Sequence, residues 1–282
     1  MTTPASNGPA ANGPAANGPA INGAAADPLP EALHLVQGAA GAGFKLKILG
    51  GLGVRVLCPD FPPRMRTGQD IDFACLGGKT RRQVADHLEQ AGCEPDKRFN
   101  NLNGDRQMYF TAPSGRPIDV MVDRLTMCHV LDFRSSFGAG SSTGAVSPAL
   151  DPADLLLSKL QIVELNPKDA HDIFHLLSGV PVAPASRAGD SVRPAISPDR
   201  FGSVLSSDWG WWRTVTGSLD KLPGLLAENP ALVPPRPRFD ALAQAKQLRE
   251  IADTVPKGAK WKLRARVGDK VRWYELPEEV DH

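Results

Sequence analysis

The chain has 282 residues, 41% of them hydrophobic and 22% charged, with a formal net charge of +1. That is the balance of a globular protein able to bury a sizeable core; it excludes a fibrous chain, and no apolar run approaches the roughly 18 residues a membrane span requires. Near-neutrality also excludes a global attraction to nucleic acid or anionic lipid, so binding of either requires a local patch.

Residues 1–28 repeat Asn-Gly-Pro-Ala with almost no large apolar side chain. Folding them could not offset the entropy lost, so they are expected to be a disordered tail, and they lack the basic start and apolar stretch of a signal peptide. An α/β domain is expected over residues 29–180, then a Pro/Ala/Ser-rich linker over 181–199, and a mostly helical region over 200–282 that ends in a basic hairpin. Cys58, Cys75, Cys93 and Cys128 show no CxxC spacing. The expectation is a cytoplasmic protein without disulfides, a zinc site or membrane contact.

Within the domain, a short helix over 29–36 precedes a buried strand over 44–49. Gly50-Gly51 then forms a tight turn into a helix over 52–57. Pro59, Pro62 and Pro63 stop that helix and make a stiff loop carrying Arg64 and Arg66. The next segment, 70–75, alternates as a strand, which puts Asp70 and Asp72 on one face. A crossover helix over 80–91 leads to two strands, 106–112 and 117–122, joined by Pro113-Ser114-Gly115, with Asp119 inside the second.

After a Ser/Gly-rich loop, residues 152–165 carry a helical apolar stripe. A second helix follows, with Asn166 as its cap and Pro167 in its first position, and runs to Gly179. Further helices are expected over 209–226 and 238–254. The alternation from Trp261 to Tyr274 reads as a basic hairpin turning at Gly268-Asp269. Lys260, Lys262, Arg264, Arg266 and Lys270 in this segment suit either a solvated face or a nucleic-acid contact. Trp209, Trp211 and Trp212 suit base stacking or core packing.

Carboxylates on one strand face, with a third on a neighbouring strand, suit hard, oxygen-seeking cations such as Mg²⁺ or Mn²⁺, which in turn bridge phosphate oxygens. A glycine turn at a helix start lets backbone N–H groups approach those phosphates. Asp70, Asp72 and Asp119 are therefore the expected metal ligands and catalytic groups, with Gly50 and Gly51 as a phosphate cradle. His171 and His175 have the four-residue spacing of a zinc pair, but no third ligand is evident and His175 is expected to face away from the carboxylates. Asp169 and Asp172 share a helix face, and Asp169 also suits the helix N-terminus electrostatically.

Taken in order, Leu49-Gly50-Gly51, Asp70-Ile71-Asp72 and Ile118-Asp119-Val120 resemble the motifs of the nucleotidyltransferase superfamily. The segment from Arg66 through Thr67 to Asp70 narrows the likeness to the AbiEii/AbiGii toxin-like nucleotidyltransferases. The resemblance covers roughly residues 44–178. It implies an α/β (α+β) nucleotidyltransferase fold: a small mixed sheet flanked by helices, with a helical C-terminal part. It also implies Arg66, Lys159, Lys168, Asp169 and Asp172 as nucleotide-binding residues beside the glycines. The implied activity is metal-dependent transfer of a nucleoside monophosphate from a nucleoside triphosphate such as ATP to an acceptor, with RNA as acceptor and a cognate antitoxin as partner. Leu52 stands where many such enzymes have serine, and Lys168 replaces an arginine. These departures speak for a binding module without turnover, and a small-molecule adenylyltransferase, with the same metal site and a different acceptor pocket, is the other alternative.

Overall fold

A computed structural model of the chain describes residues 27–64, 69–138, 147–184, 186–188 and 191–276. The Asn-Gly-Pro-Ala tail lies outside these residues except for its last two, and so does Arg66.

The first layer begins with α1 (Leu29–Gly41), β1 (Leu46–Ile48) and α2 (Gly50–Leu57). These are followed by β2 (Ile71–Cys75), α3 (Lys79–Gln90), β3 (Glu94–Pro95) and α4 (Lys97–Asn103). The hairpin of β4 (Gln107–Thr111) and β5 (Pro117–Val122) completes a five-stranded sheet in the order β1-β2-β5-β4-β3. Its central pair, β2 and β5, is parallel, and the other pairs are antiparallel. The sheet is therefore mixed, as the alternation of strand and helix signals implies.

Burial follows the period of two. Ile71, Phe73 and Cys75 on β2 and Ile118, Val120 and Val122 on β5 are buried together with Ala32, Leu35, Val84 and Leu88 of α1 and α3. Asp72 and Asp119 point to the opposite face and are only half-buried. On that side a second core extends from Leu49 and Val54 through the rest of the chain to Ala252.

The remaining elements are the hairpin β6 (Arg124–Thr126) and β7 (Val130–Asp132), the antiparallel helices α5 (Pro152–Leu160) and α6 (Pro167–Gly179), and the ribbon β8 (Ser186–Ala188) and β9 (Ser191–Arg193). Then come α7 (Pro198–Ser207), α8 (Trp209–Glu228), α9 (Ala241–Thr254) and α10 (Ala259–Val267). Helices α2, α5 and α6 pack on one another, and α7 to α9 close over α5 and α6. The expected linker 181–199 thus contains a ribbon and the start of a helix, and residues on both sides of it share one core. An ion pair at its edge supports this continuity: Arg200 on α7 reaches the fully buried Asp154 on α5 at 2.7 Å, and Ser136 Oγ donates to the same carboxylate.

Three expectations need correction. The helix expected over 152–165 ends at Leu160, and the chain reverses over residues 161–166 before α6. The linker expected to reach residue 199 gives way to α7 at Pro198; Ser197 caps the helix by accepting from Arg200 N, and Gly202 and several serines weaken its signal. The basic hairpin is instead α10, followed by a short 3-10 turn. The alternation of Trp261, Leu263, Ala265 and Val267 with basic residues imitates a strand, but Ala, Leu, Lys and Arg are strong helix formers. The helix ends at Gly268, with φ +59°, and Arg264 donates to the carbonyls of Gly268 and Val271.

No helix among the described residues is long and apolar enough to cross a membrane. All four cysteines are buried and unpaired.

Candidate active site

The carboxylates stand where the central strands run side by side. Asp72 and Asp119 are register partners across the parallel β2–β5 pair, and Tyr109 on β4 is the register partner of Asp119. Parallel neighbours lie about 4.8 Å apart, so the two aspartates share one face at adjacent positions. Gln107 donates from Nε2 to Oδ1 of Asp119 at 2.6 Å and fixes that carboxylate. Asp70 immediately precedes β2. Burial raises the Tyr109 phenol above its ordinary value, and the charges of Asp119, Asp70 and Asp96 add to this.

Helix α2 starts directly against this face. Gly50 adopts φ +62°, a region costly for any residue with a side chain. A Cβ on it would stand 2.1 Å from Asp72 Oδ2. Leu49 N also donates to the Asp72 carbonyl at 2.8 Å, which locks the helix start to β2. A Cβ on Gly51 would meet Asp172 Oδ2 at 3.4 Å and the Arg64 guanidinium at 3.7 Å. The two glycines therefore sit between the strand carboxylates and the helix pair.

In that pair Lys159 Nζ lies 3.1 Å from Asp169 Oδ1 and 2.9 Å from Asp172 Oδ2. Burial works against the ammonium, but Asp172 and Asp169 outweigh it and hold Lys159 above its ordinary value. Burial likewise opposes ionisation of Asp172, yet hydrogen bonding from His171 and the charge of Lys159 hold its carboxyl below the usual range. Lys159 is thus neutralised within the protein. Asn166 caps α6 by accepting from Lys168 N and Asp169 N, and the Lys168 side chain is exposed.

Beside Gly51 is a narrow cavity of about 10 Å³ whose walls include Arg64, Gln69, His171, Asp172 and His175. Arg64 Nε has no hydrogen-bond partner among the described residues. His175, expected to turn away from the acidic groups, stacks on His171 with ring centroids 3.8 Å apart and lines the same cavity as Asp172. The two imidazoles are four residues apart on one helix, which accounts for the stacking. Sequence reading passed over Gln107 and Tyr109 as site residues; their signal was period-two alternation, which places both on the face of Asp119.

The oxygen-only donor set and the glycine cradle fit a hard divalent cation. Among the described residues no group of three or more His, Cys, Asp or Glu is gathered to hold an ion. Mg²⁺ is commonly held by one or two carboxylates, with water and substrate phosphates completing its shell, so the adjacent Asp72 and Asp119 are a sufficient protein contribution.

The tryptophans pack the core. Trp209 and Trp211 are buried, and Trp212 meets Trp261 edge-on at 5.4 Å.

No family model matches the chain, and no curated protein matches it. Among solved structures it is similar to an antigenic nucleotidyltransferase-like protein from Paracoccidioides brasiliensis, with 13% identity and a TM-score of 0.38, over 84% of this chain and 97% of that one.

Proposed function

We propose that the chain is a metal-dependent nucleotidyltransferase that moves a nucleoside monophosphate from a triphosphate to a hydroxyl acceptor. The observation that carries this reading is the contact of Gly50 with Asp72: a helix start built from glycine is pressed against a carboxylate that is itself in register with Asp119.

A helix leaves its first N–H groups without intrahelical acceptors and carries positive potential there, which suits phosphate. Here Asp72 and Asp172 lie against that helix end, Asp119 is the register partner of Asp72, and Lys159 is already paired. A triphosphate approaching these carboxylates would be repelled unless cations came with it, so the same arrangement calls for divalent metal. Asp72 and Asp119 would hold it, with water and substrate phosphates completing its shell; when bound, it supplies charge neutralisation at the phosphates and the leaving pyrophosphate.

The remaining work falls to the chain. Gly50 and Gly51 let phosphate oxygens approach the backbone, and Arg64 offers a guanidinium beside them. The acceptor hydroxyl oxygen forms a bond to the α-phosphorus as the bond to the bridging oxygen breaks. Pyrophosphate leaves with that electron pair, and the hydroxyl proton passes to Asp119 and on to water. RNA as acceptor and an antitoxin as partner are supported by the sequence resemblance alone.

Calorimetric titration with a non-hydrolysable triphosphate and Mg²⁺ tests the reading. Binding by the wild type that requires Mg²⁺ and is lost in Asp72→Ala is expected. Equal affinity with and without Mg²⁺, or in both proteins, would remove the metal-site assignment.

A further inference from the structure

A second cleft, open to solvent and about 620 Å³ in volume, is lined by Asp60, Phe61, Pro62, Pro235, Arg236 and Arg238. Phe61 and Pro62 are also walls of the cavity beside Gly51, so the two spaces share a partition. The volume falls within the range of small-molecule and cofactor sites.

The far wall of this cleft is a constrained loop between α8 and α9. Backbone N–H groups of Arg238 and Phe239 both donate to the carbonyl of Ser178 at the end of α6, at 2.9 and 3.1 Å. The Arg238 guanidinium pairs with Asp60 across the cleft. Between Pro235 and Pro237, Arg236 is held at φ +55°, a conformation that strains a residue with a side chain. Its exposed guanidinium makes no hydrogen bond or ion pair with any described residue. The anchored backbone sets Arg236 in the wall of the cleft, where its unpaired guanidinium is open to whatever enters.

We propose that this cleft is the acceptor subsite and that it holds the acceptor by a phosphate ester, with Arg236 as the principal ligand of that anion. The proposal rests on the nucleotidyl-transfer reading of the neighbouring cavity. A guanidinium fork matches a phosphate bidentately, and Arg238, oriented by Asp60, bounds the same space. The apolar walls Phe61, Pro62 and Pro235 suit the sugar or base carried by the phosphate. The ester could belong to a polynucleotide end or to a small phosphorylated molecule, which share this chemistry.

The test is fluorescence anisotropy on the full chain with a labelled short oligoribonucleotide, the same oligomer with an uncharged methylphosphonate backbone, and a labelled nucleoside monophosphate. The central variant is Arg236→Gly, because glycine accepts φ +55° without strain and the variant cannot fail through misfolding at that position. The expected result is an unchanged or raised Tm and affinity for a phosphate-bearing probe reduced about tenfold or more, partly restored in Arg236→Lys. Triphosphate affinity in Arg236→Gly should stay at the wild-type value. Preference for the oligoribonucleotide over the monophosphate assigns the subsite to a polynucleotide end, and the reverse assigns it to a small acceptor. Equal affinity of wild type and Arg236→Gly for both charged probes, no binding of either by the wild type, or equal binding of the uncharged oligomer would overturn the subsite. A wild type that binds the charged oligomer through Arg236 but no triphosphate would overturn the nucleotidyl-transfer reading and leave the anion site standing.

Discussion

Gly50 and Asp72 are packed so closely that a single added carbon on the glycine would overlap the carboxylate, at 2.1 Å from Oδ2. With φ at +62°, the position refuses a side chain on two independent grounds. Gly50→Ala should therefore cost at least about 2 kcal/mol in denaturant unfolding. Adding Asp72→Ala should recover the part due to the clash and leave the backbone part, about 1 kcal/mol. Strictly additive losses would show that the contact does not constrain the helix start.

The Lys159 pairs predict a stability effect larger than any surface ion pair would give. Lys159→Met keeps the apolar stem but strands the carboxylates of Asp169 and Asp172, whose side chains are 12% and 4% exposed. Removing one partner of a buried ionic group costs about 3 to 5 kcal/mol, and the double variant Lys159→Met with Asp172→Asn should recover much of it. A loss under about 1 kcal/mol would place the ammonium in solvent. Since Lys159 is neutralised internally, any fall in triphosphate affinity in this variant should track its loss of stability.

Mild acid should weaken the fold through two histidines. Burial pushes His175 down to about 4, with the neighbouring His171 adding to the effect, and burial pushes His129, bonded to Thr214, down to about 4. The unfolded chain takes up these protons near pH 6.5, whereas the folded chain refuses them until about pH 4. Stability is thus whole above about pH 6.5 and declines as pH falls toward 4. Thermal unfolding should show Tm falling across that window, with a shallower fall in His129→Gln or His175→Gln. A flat wild-type profile from pH 7 to 4.5 would contradict this.

The four buried cysteines should be inert in the native state. Burial pushes Cys58 and Cys75 up to about 12 and Cys93 up to about 11, so thiolate is scarce where access is already blocked. Ellman's reagent should titrate them only on unfolding; rapid native reaction of any one would mean that its cover opens readily.

The strand-borne half of the site was legible because period-two alternation and an Asp-x-Asp pair are local signals: β2, the β4–β5 hairpin and the Asn166 cap stand close to where the sequence puts them. What could not be read is what distant segments do to one another. The spacing of Lys159 suggested a cleft-facing cation, but only the crossing of α5 and α6 ties it to Asp169 and Asp172. The cavity around His171 and His175 likewise exists only because the loop at Phe61, edge-on to His175, closes over them. Alternation in α10 misled because a period of two shows a strand only where there is an edge to pair with.

Labelled transfer tests Asp72 and Asp119 as the proposed metal-dependent centre of nucleotidyl transfer. The protein is incubated with each α-labelled triphosphate, Mg²⁺ and total RNA, alongside Asp72→Asn and Asp119→Asn variants matched for Tm. Label is expected in an acceptor with the wild type, none without Mg²⁺, and a loss of at least about a hundredfold in each variant. Transfer that persists at the wild-type rate in either variant would contradict it, as would a folded wild type that labels no acceptor with any triphosphate.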